Sequence, residues 1–599
     1  MSFAPVPVKR ATGPLIVVFV TSAIWLLRGY VWPTLSNVEV GPLQASLDPS
    51  LFLRDFTVQE SLRFSPRFYY NQLILLPARA GLPLAWSVAL WHVVALAAMI
   101  GAVHALANTL RLGVGVRATL LLWLLTINSG VLGAVFLYTH APVPSVWAAA
   151  VAACGAALAV RQRWIAAFAC FGGAALLQFL VGFYAGLLAL PSLLVMARRE
   201  RLPAVLAWAA GLALVYGPLW FSGRADHDAL GNDAFVEIYA QLRHPHHLVP
   251  SAWPAMFWQR ALLFYAGAWY FLFRTSAGRP RIERTLLNGT LALAAAALAA
   301  NYIFVELVPS AFVAKLQPAR ITPLAQAVIL GLLATRMQAA LDQRGKLLAV
   351  LIGLMPLSLY PGLVLGLAAV LAAPENAKPR SSWPLLLLTV AVVVAFRPYA
   401  QTVGYYVNRF GPWVLLLVVQ LAPYVLQRAR GALLAGTALA MAGAAGAAIL
   451  STRPDWPDSF AHRFAIDAGP LDPPALLGRR FRDHSAKDAL VLVPPTSEPW
   501  SFKLHAQRAV IVDDKNIPFT SAGLKEWHRR METVLGRPFV RNLDAAAAWR
   551  SRSAGELLGV AAQFGAGYLL TRDEWHPELP GRRLDTEQGW SLWELPKSP

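Results

Sequence analysis

Apolar runs long enough to cross a lipid bilayer recur from residue 13 to residue 450 and then stop. A span of the hydrocarbon core takes roughly 20 apolar residues. Lipid offers a backbone N–H or C=O no partner, so this stretch is confined to membrane helices that satisfy their own hydrogen bonds. Basic side chains gather in short knots between the runs: Lys9 and Arg10, Arg161 and Arg163, Arg198 to Arg201, Arg274 to Arg284, Arg336 to Lys346, Lys378 and Arg380, Arg428 and Arg430. That is the pattern of cytoplasmic loops under the positive-inside rule. It argues against a nucleic-acid partner despite a formal net charge of +20. Charged residues make up only 14% of the 599-residue chain, against about 25% in soluble proteins. Cys154 and Cys170 both fall within apolar runs and read as small core residues rather than a disulfide or metal site.

Placing every basic knot in the cytoplasm threads the chain through thirteen to fifteen spans. Residues 1–450 then form the transmembrane domain, with a first outer loop at 36–83 and a second at 223–254. The first helix is expected at about 13–35, and a short outer turn surrounds His140 between spans at 118–137 and 144–160. The stretch 164–197 is too long for one span, and two short helices meeting near Gln178 resolve it. A second such pair is expected at 347–373, broken at Pro361, with further spans at 382–396, 410–427 and 432–450. The N-terminus lies in the cytoplasm and residues 451–599 lie outside, which places a multi-pass protein in the inner (plasma) membrane. From Asp455 the composition is that of a soluble domain. Short β-like runs at Ala489–Val493, Ala509–Val512, Gly567–Leu570 and Trp590–Leu595 alternate with helical patterns at 522–535 and 553–564. A small extracytoplasmic α/β domain follows from that alternation.

Polar residues in outer loops are where chemistry is sought in such a chain. In the first loop, Asp48 precedes Pro49, the pattern of a helix N-cap followed by proline. Asp55 lies seven residues on and would share a helix face with it. Either carboxylate is a candidate general base, and an ion pair of Asp55 with Arg54 or Arg63 is the structural alternative. The second loop ends in Arg243-His244-Pro245-His246-His247. Phosphate binding, proton transfer or plain loop structure would each suit it, whereas the spacing is poor for zinc. In Lys315-Leu316-Gln317-Pro318-Ala319-Arg320, Arg320 is placed to bond a lipid-linked phosphate, or else simply snorkels to headgroups. Within the α/β domain, Val512-Asp513-Asp514-Lys515-Asn516 follows an expected strand and reads as a sugar- or ion-binding site or a charged turn. No Walker, GxSxG or HExxH motif occurs, which removes support for nucleotide-driven transport and serine hydrolysis.

This layout resembles the GT-C superfamily of membrane glycosyltransferases: a first helix from the cytoplasm, a long acidic first outer loop, broken helix pairs, a late outer arginine and an outer α/β domain. The Arg243–His247 and Val512–Pro518 motifs, with Glu526, Trp527 and Arg529, also look like a group of bacterial polytopic proteins of this plan, a likeness that brings no activity with it. The GT-C resemblance implies a mainly α, GT-C-like transmembrane helical bundle with a C-terminal α/β domain. It implies transfer of a sugar from a polyprenyl-phosphate donor to a hydroxyl on a saccharide, lipid or protein acceptor at the extracytoplasmic face. Asp48 or Asp55 would be the base, and Arg320, Lys315, Arg243, His244, His246 and His247 would face the donor phosphate. The chain lacks the Asp-Glu pair of protein mannosyltransferases and the WWD-type signature of oligosaccharyltransferases. No cofactor or divalent metal is therefore expected. Two other readings stand beside it: a lipid-linked saccharide flippase, which the scarcity of mid-span charge disfavours, and an O-antigen-ligase-like enzyme working through the histidine loop.

Overall fold

The computed structural model describes residues 12–34, 38–133, 136–139, 141–221, 230–275, 281–343, 345–355, 360–372, 403–450, 464–466 and 471–596. The span expected at 382–396 and His140 lie outside the described residues. Among the described residues, five helices are long and apolar enough to cross a membrane: Leu84–Thr109, Arg198–Phe221, Ile282–Leu307, Ala311–Asp342 and Arg430–Leu450. Seven shorter apolar helices accompany them. The chain is thus a multi-pass membrane protein with a mainly helical bundle and a small C-terminal sheet.

Local sequence accounts for the broken helices. Trp164–Leu177 and Phe179–Ala189 meet at Gln178, whose side-chain oxygen accepts from the Leu180 N–H at 2.7 Å and so starts the second helix as the first ends. Lys346–Leu354 and Pro361–Leu371 form the pair expected around Pro361. The first helix is shorter than its apolar run, ending at Arg28 where Gly29 takes a φ of 77°. The next residues form strand β1 (Tyr30–Trp32), paired in parallel with β2 (Phe464–Ile466). One end of the bundle is thereby tied to the chain beyond residue 450.

The α/β domain holds a five-stranded sheet of β3 (Leu490–Leu492), β4 (Ala509–Val510), β5 (Tyr568–Arg572), β6 (Arg582–Glu587) and β7 (Trp590–Glu594). Their order is β4-β3-β5-β7-β6. The first three run parallel, and β7 is antiparallel to both β5 and β6. The helices Ser521–Leu535 and Ala554–Phe564 have strong ends: Thr520 caps the first, a Ser553–Glu556 capping box starts the second, and Gly536 and Gly565 close them with left-handed backbones. One face of this domain shares a hydrophobic core with the second outer loop, where Phe235, Val236, Tyr239 and Leu248 pack with Leu492, Ile511, Trp527 and Trp549. That shared core brings the polar motifs of separate segments together.

Candidate functional site

The first outer loop folds into short helices that dock on the α/β domain. Asp48 is not a helix N-cap. It ends the helix Val40–Leu47, and its carboxylate binds the Ser50 N–H at 3.0 Å and the Lys487 ammonium at 2.7 Å. Hydrogen bonds from Lys487 and Ser50 hold that carboxyl down at about 2. Asp48 and Asp55 do not share a helix face, because turns separate them and Asp55 itself caps the next helix, Phe56–Leu62. Pro49 suits either role, since proline commonly follows a helix C-terminus as well as opening a helix.

Asp55 pairs with neither Arg54 nor Arg63. Its carboxylate is 1% exposed and accepts from the Val58 N–H at 3.0 Å, Thr57 Oγ1 at 2.8 Å and the Val510 N–H at 3.1 Å, while Lys503 Nζ stands 3.0 Å away. Lys503, 2% exposed, also bonds Asp513 at 2.8 Å. Burial alone would lower the Lys503 pKa, but Asp513 and Asp55 more than offset it and raise the group. Burial likewise pushes Asp513 up, and Lys503 with Asn516 brings it below the usual carboxylate range. Arg54 turns outward to the carbonyls of Phe564 (3.1 Å) and Gly565 (2.9 Å), the exposed acceptors at the end of helix Ala554–Phe564.

Behind Asp513 the turn runs directly into the histidine loop. Arg243 Nη2 donates to the Lys515 carbonyl at 3.1 Å. Arg243 ends a π-helical segment, Glu237–Arg243, a form often found at functional sites. His244 Nδ1 lies 3.0 Å from the Tyr239 carbonyl, and His247 Nδ1 lies 2.6 Å from the Gly133 carbonyl. A carbonyl accepts only from N–H, so both Nδ1 atoms carry the proton and both Nε2 atoms present a lone pair. Burial pushes His244 well below its ordinary pKa, and burial with Arg320 brings His247 down to about 3. His246, its ring centroid 4.0 Å from that of His247, is exposed and has no hydrogen-bond partner among the described residues. Gly133 earns its place by conformation: its φ is 74°, and a Cβ there would lie 3.0 Å from the His247 carbonyl oxygen.

Pro318 cannot continue the helix Ala311–Leu316 and disfavours an α conformation before it. Gln317, between the two, takes a left-handed φ of 45°. This sparsely populated conformation is held by Gln317 Nε2 donating to the Tyr239 hydroxyl at 2.8 Å, while Gln317 Oε1 accepts from Arg320 Nε. Arg320 acts electrostatically on His246, His247 and Tyr239. Lys315 is turned elsewhere, with its ammonium 4.7 Å from the centre of the Phe235 ring.

The structure therefore brings together Arg243, His244, His246, His247 and Arg320, and leaves Asp48, Asp55 and Lys315 outside that group. It adds Arg67, which the sequence did not single out, and Asp514 and Lys515, whose motif read as a separate sugar- or ion-binding site or charged turn. Arg67 lies in the field of Arg320 and Tyr239 and pairs with the buried Glu39 at 2.9 Å. Lys515 and Asp514 arrive from the α/β domain, both within electrostatic reach of Arg243. Arg320 bonds a neutral amide and, among the described residues, Lys515 has no carboxylate bonded to its ammonium, so positive charge is in excess here. The arrangement can hold an anion through charge-assisted hydrogen bonds and offers imidazole lone pairs to hydroxyl groups beside it. Among the described residues, no group of three or more His, Cys, Asp or Glu has the arrangement to hold a metal ion.

Residues 476–534 match a family described as a domain of unknown function, DUF6798. That segment contains Asp514 and Lys515, the α/β domain's share of the cluster, and Lys503 and Asp513 of the neighbouring buried ion-pair group. No curated protein matches the chain. Among solved structures, the chain is similar to arabinofuranosyltransferase AftD from mycobacteria, determined by single-particle cryo-EM, with 13% identity and a TM-score of 0.42. The match covers 100% of this chain and 40% of AftD.

Proposed function

We propose that this protein is an integral membrane glycosyltransferase that takes a sugar from a polyprenyl-phosphate donor and passes it to an acceptor hydroxyl at the extracytoplasmic face. The reading is carried by one observation: a cluster with excess positive charge, from Arg243, Arg320 and Lys515, sits where apolar helices meet the α/β domain. A lipid-linked phosphate needs both an apolar wall for its chain and fixed cations for its head. Arg243, Arg320 and His246 hold the phosphate, stabilising the charge that grows on it as the sugar leaves. His244 and His247 present lone pairs and so accept hydrogen bonds from sugar or acceptor hydroxyls. The cluster lies on the periplasmic side, with the N-terminus in the cytoplasm. The acceptor is a saccharide, a lipid or a protein, and the donor is the only lipid partner invoked. No cofactor or divalent metal enters the scheme.

The first-loop carboxylates take no part in the proton transfer of this scheme. Asp55 already accepts from buried donors on both oxygens, and Asp48 is committed to Lys487 and Ser50. The test is binding of synthetic polyprenyl phosphate to the full chain in nanodiscs. Hydrogen bonds to charged groups contribute about 1.5–3 kcal/mol, so Arg320→Ala and Arg243→Ala should each weaken binding roughly tenfold or more. Unchanged affinity in both variants would rule the reading out.

A further inference from the structure

Asp514 is the one carboxylate of the cluster that no described side chain bonds. Its neighbour Asp513 is fully engaged by Lys503, Asn516 and the Lys515 and Asn516 N–H groups. Glu39 is ion-paired with Arg67 at 2.9 Å, although its Oε1 makes no aligned hydrogen bond. The Asp514 Oδ1, by contrast, is closed off from solvent with no hydrogen-bond partner among the described residues. So is Nε of Arg243, the cation of the second loop that faces it. A buried acceptor left without a donor costs free energy, and such a group calls for an explanation.

We propose that Asp514 is the proton acceptor of the transfer reaction, supplied to the membrane site by the α/β domain. This rests on the glycosyltransferase reading and names the group that reading leaves open. In the step, the acceptor O–H proton passes to the Asp514 carboxylate as that oxygen bonds to the anomeric carbon. The bond from the anomeric carbon to the phosphate oxygen breaks, and its electron pair leaves on the phosphate held by Arg320 and Arg243. The proton on Asp514 is then returned to water.

The neighbouring groups suit this task. Burial, and then the charge of Asp513 on the same turn, raise the Asp514 carboxyl to about 6, while Arg243 and Lys515 pull it partly back. A base works best with a pKa near the working pH. His247 is a far weaker candidate at about 3, and Asp48 weaker again at about 2. The raised value has a second consequence. A carboxyl whose folded pKa lies above its unfolded value destabilises the fold once it ionises, so the cost is absent at low pH and grows as pH rises through about 4 to 6.

The experiment compares wild type, Asp514→Asn and Asp514→Glu as full chains in nanodiscs. The donors are a panel of radiolabelled polyprenyl-phosphate hexoses and pentoses, with isolated cell envelopes as the acceptor source. Asp514→Asn should lose transfer by about a hundredfold or more, bind polyprenyl phosphate as wild type does, and melt at higher temperature at pH 7 but not at pH 4. Asp514→Glu should keep part of the activity, and the fall in wild-type rate below about pH 6 should be missing from the residual Asp514→Asn rate. Wild-type rates in Asp514→Asn would overturn the assignment alone, as would loss of binding together with transfer. A wild-type protein that transfers from no member of the panel would overturn the glycosyltransferase reading and this assignment with it.

Discussion

Two charged groups lie side by side where the first and second outer loops meet the α/β domain, and they are built on opposite principles. In the Asp55–Lys503–Asp513 group, one buried cation is shared by two carboxylates, which also accept from backbone N–H groups, the Thr57 hydroxyl and the Asn516 amide. In the Arg243–Arg320–Lys515 group, cations outnumber their partners, His246 is open, and Asp514 and Arg243 each keep a buried atom unbonded. A satisfied network fixes structure, whereas an unsatisfied one keeps polar atoms available for a further partner. The contrast also separates two adjacent aspartates: Asp513 belongs to the first group and Asp514 to the second.

The largest expected effect comes from breaking the satisfied group. Lys503→Met strands two buried carboxylates and should cost about 3–5 kcal/mol, read as a lower melting temperature and easy proteolytic access to the first loop. Retention of wild-type stability would mean that the group does not hold the domain in place. The pH window sharpens the same point. Asp513, with a depressed pKa, contributes stability above its unfolded pKa and loses it as pH falls into the acid range. Lys503, with a raised pKa, contributes below its unfolded value near 10.4 and loses it only as pH rises above its folded one. Hydrogen exchange at the Val510 amide, bonded to Asp55 at 3.1 Å, should therefore show constant opening free energy from about pH 7 to 9, above the Asp514 titration, and weakening at strongly acid pH. The smallest effect belongs to Asp48→Asn, which removes an exposed pair with Lys487. Such pairs contribute little, and transfer, polyprenyl-phosphate binding and melting at pH 7 should match wild type.

Much of the bundle is legible in the sequence because a membrane helix is written locally, in an unbroken apolar run ended by basic residues. Gln178 and Pro361 are legible as breaks for the same reason, as are most of the strands of the α/β domain. The polar motifs are visible too, since Arg243–His247 and Val512–Asn516 stand out from their surroundings. What sequence does not carry is which motif meets which. Asp55 and Lys503 are 448 residues apart, and Arg243 and Lys515 are 272 apart. Asp48 misleads for a local reason: Asp-Pro fits the end of one helix as well as the start of the next. Lys315 and Arg320 sit in one short motif, yet the Gln317–Pro318 break sends them to different neighbours.

The phosphate site proposed for the unsatisfied cluster draws on three distant segments. A cryo-EM structure of the full chain with bound polyprenyl phosphate tests it most directly. Phosphate density is expected within hydrogen-bond reach of Arg320 and Arg243, with His246 and Lys515 beside it and the Asp55–Lys503–Asp513 group unchanged. Phosphate density at a separate part of the bundle, with this cluster empty, would contradict it.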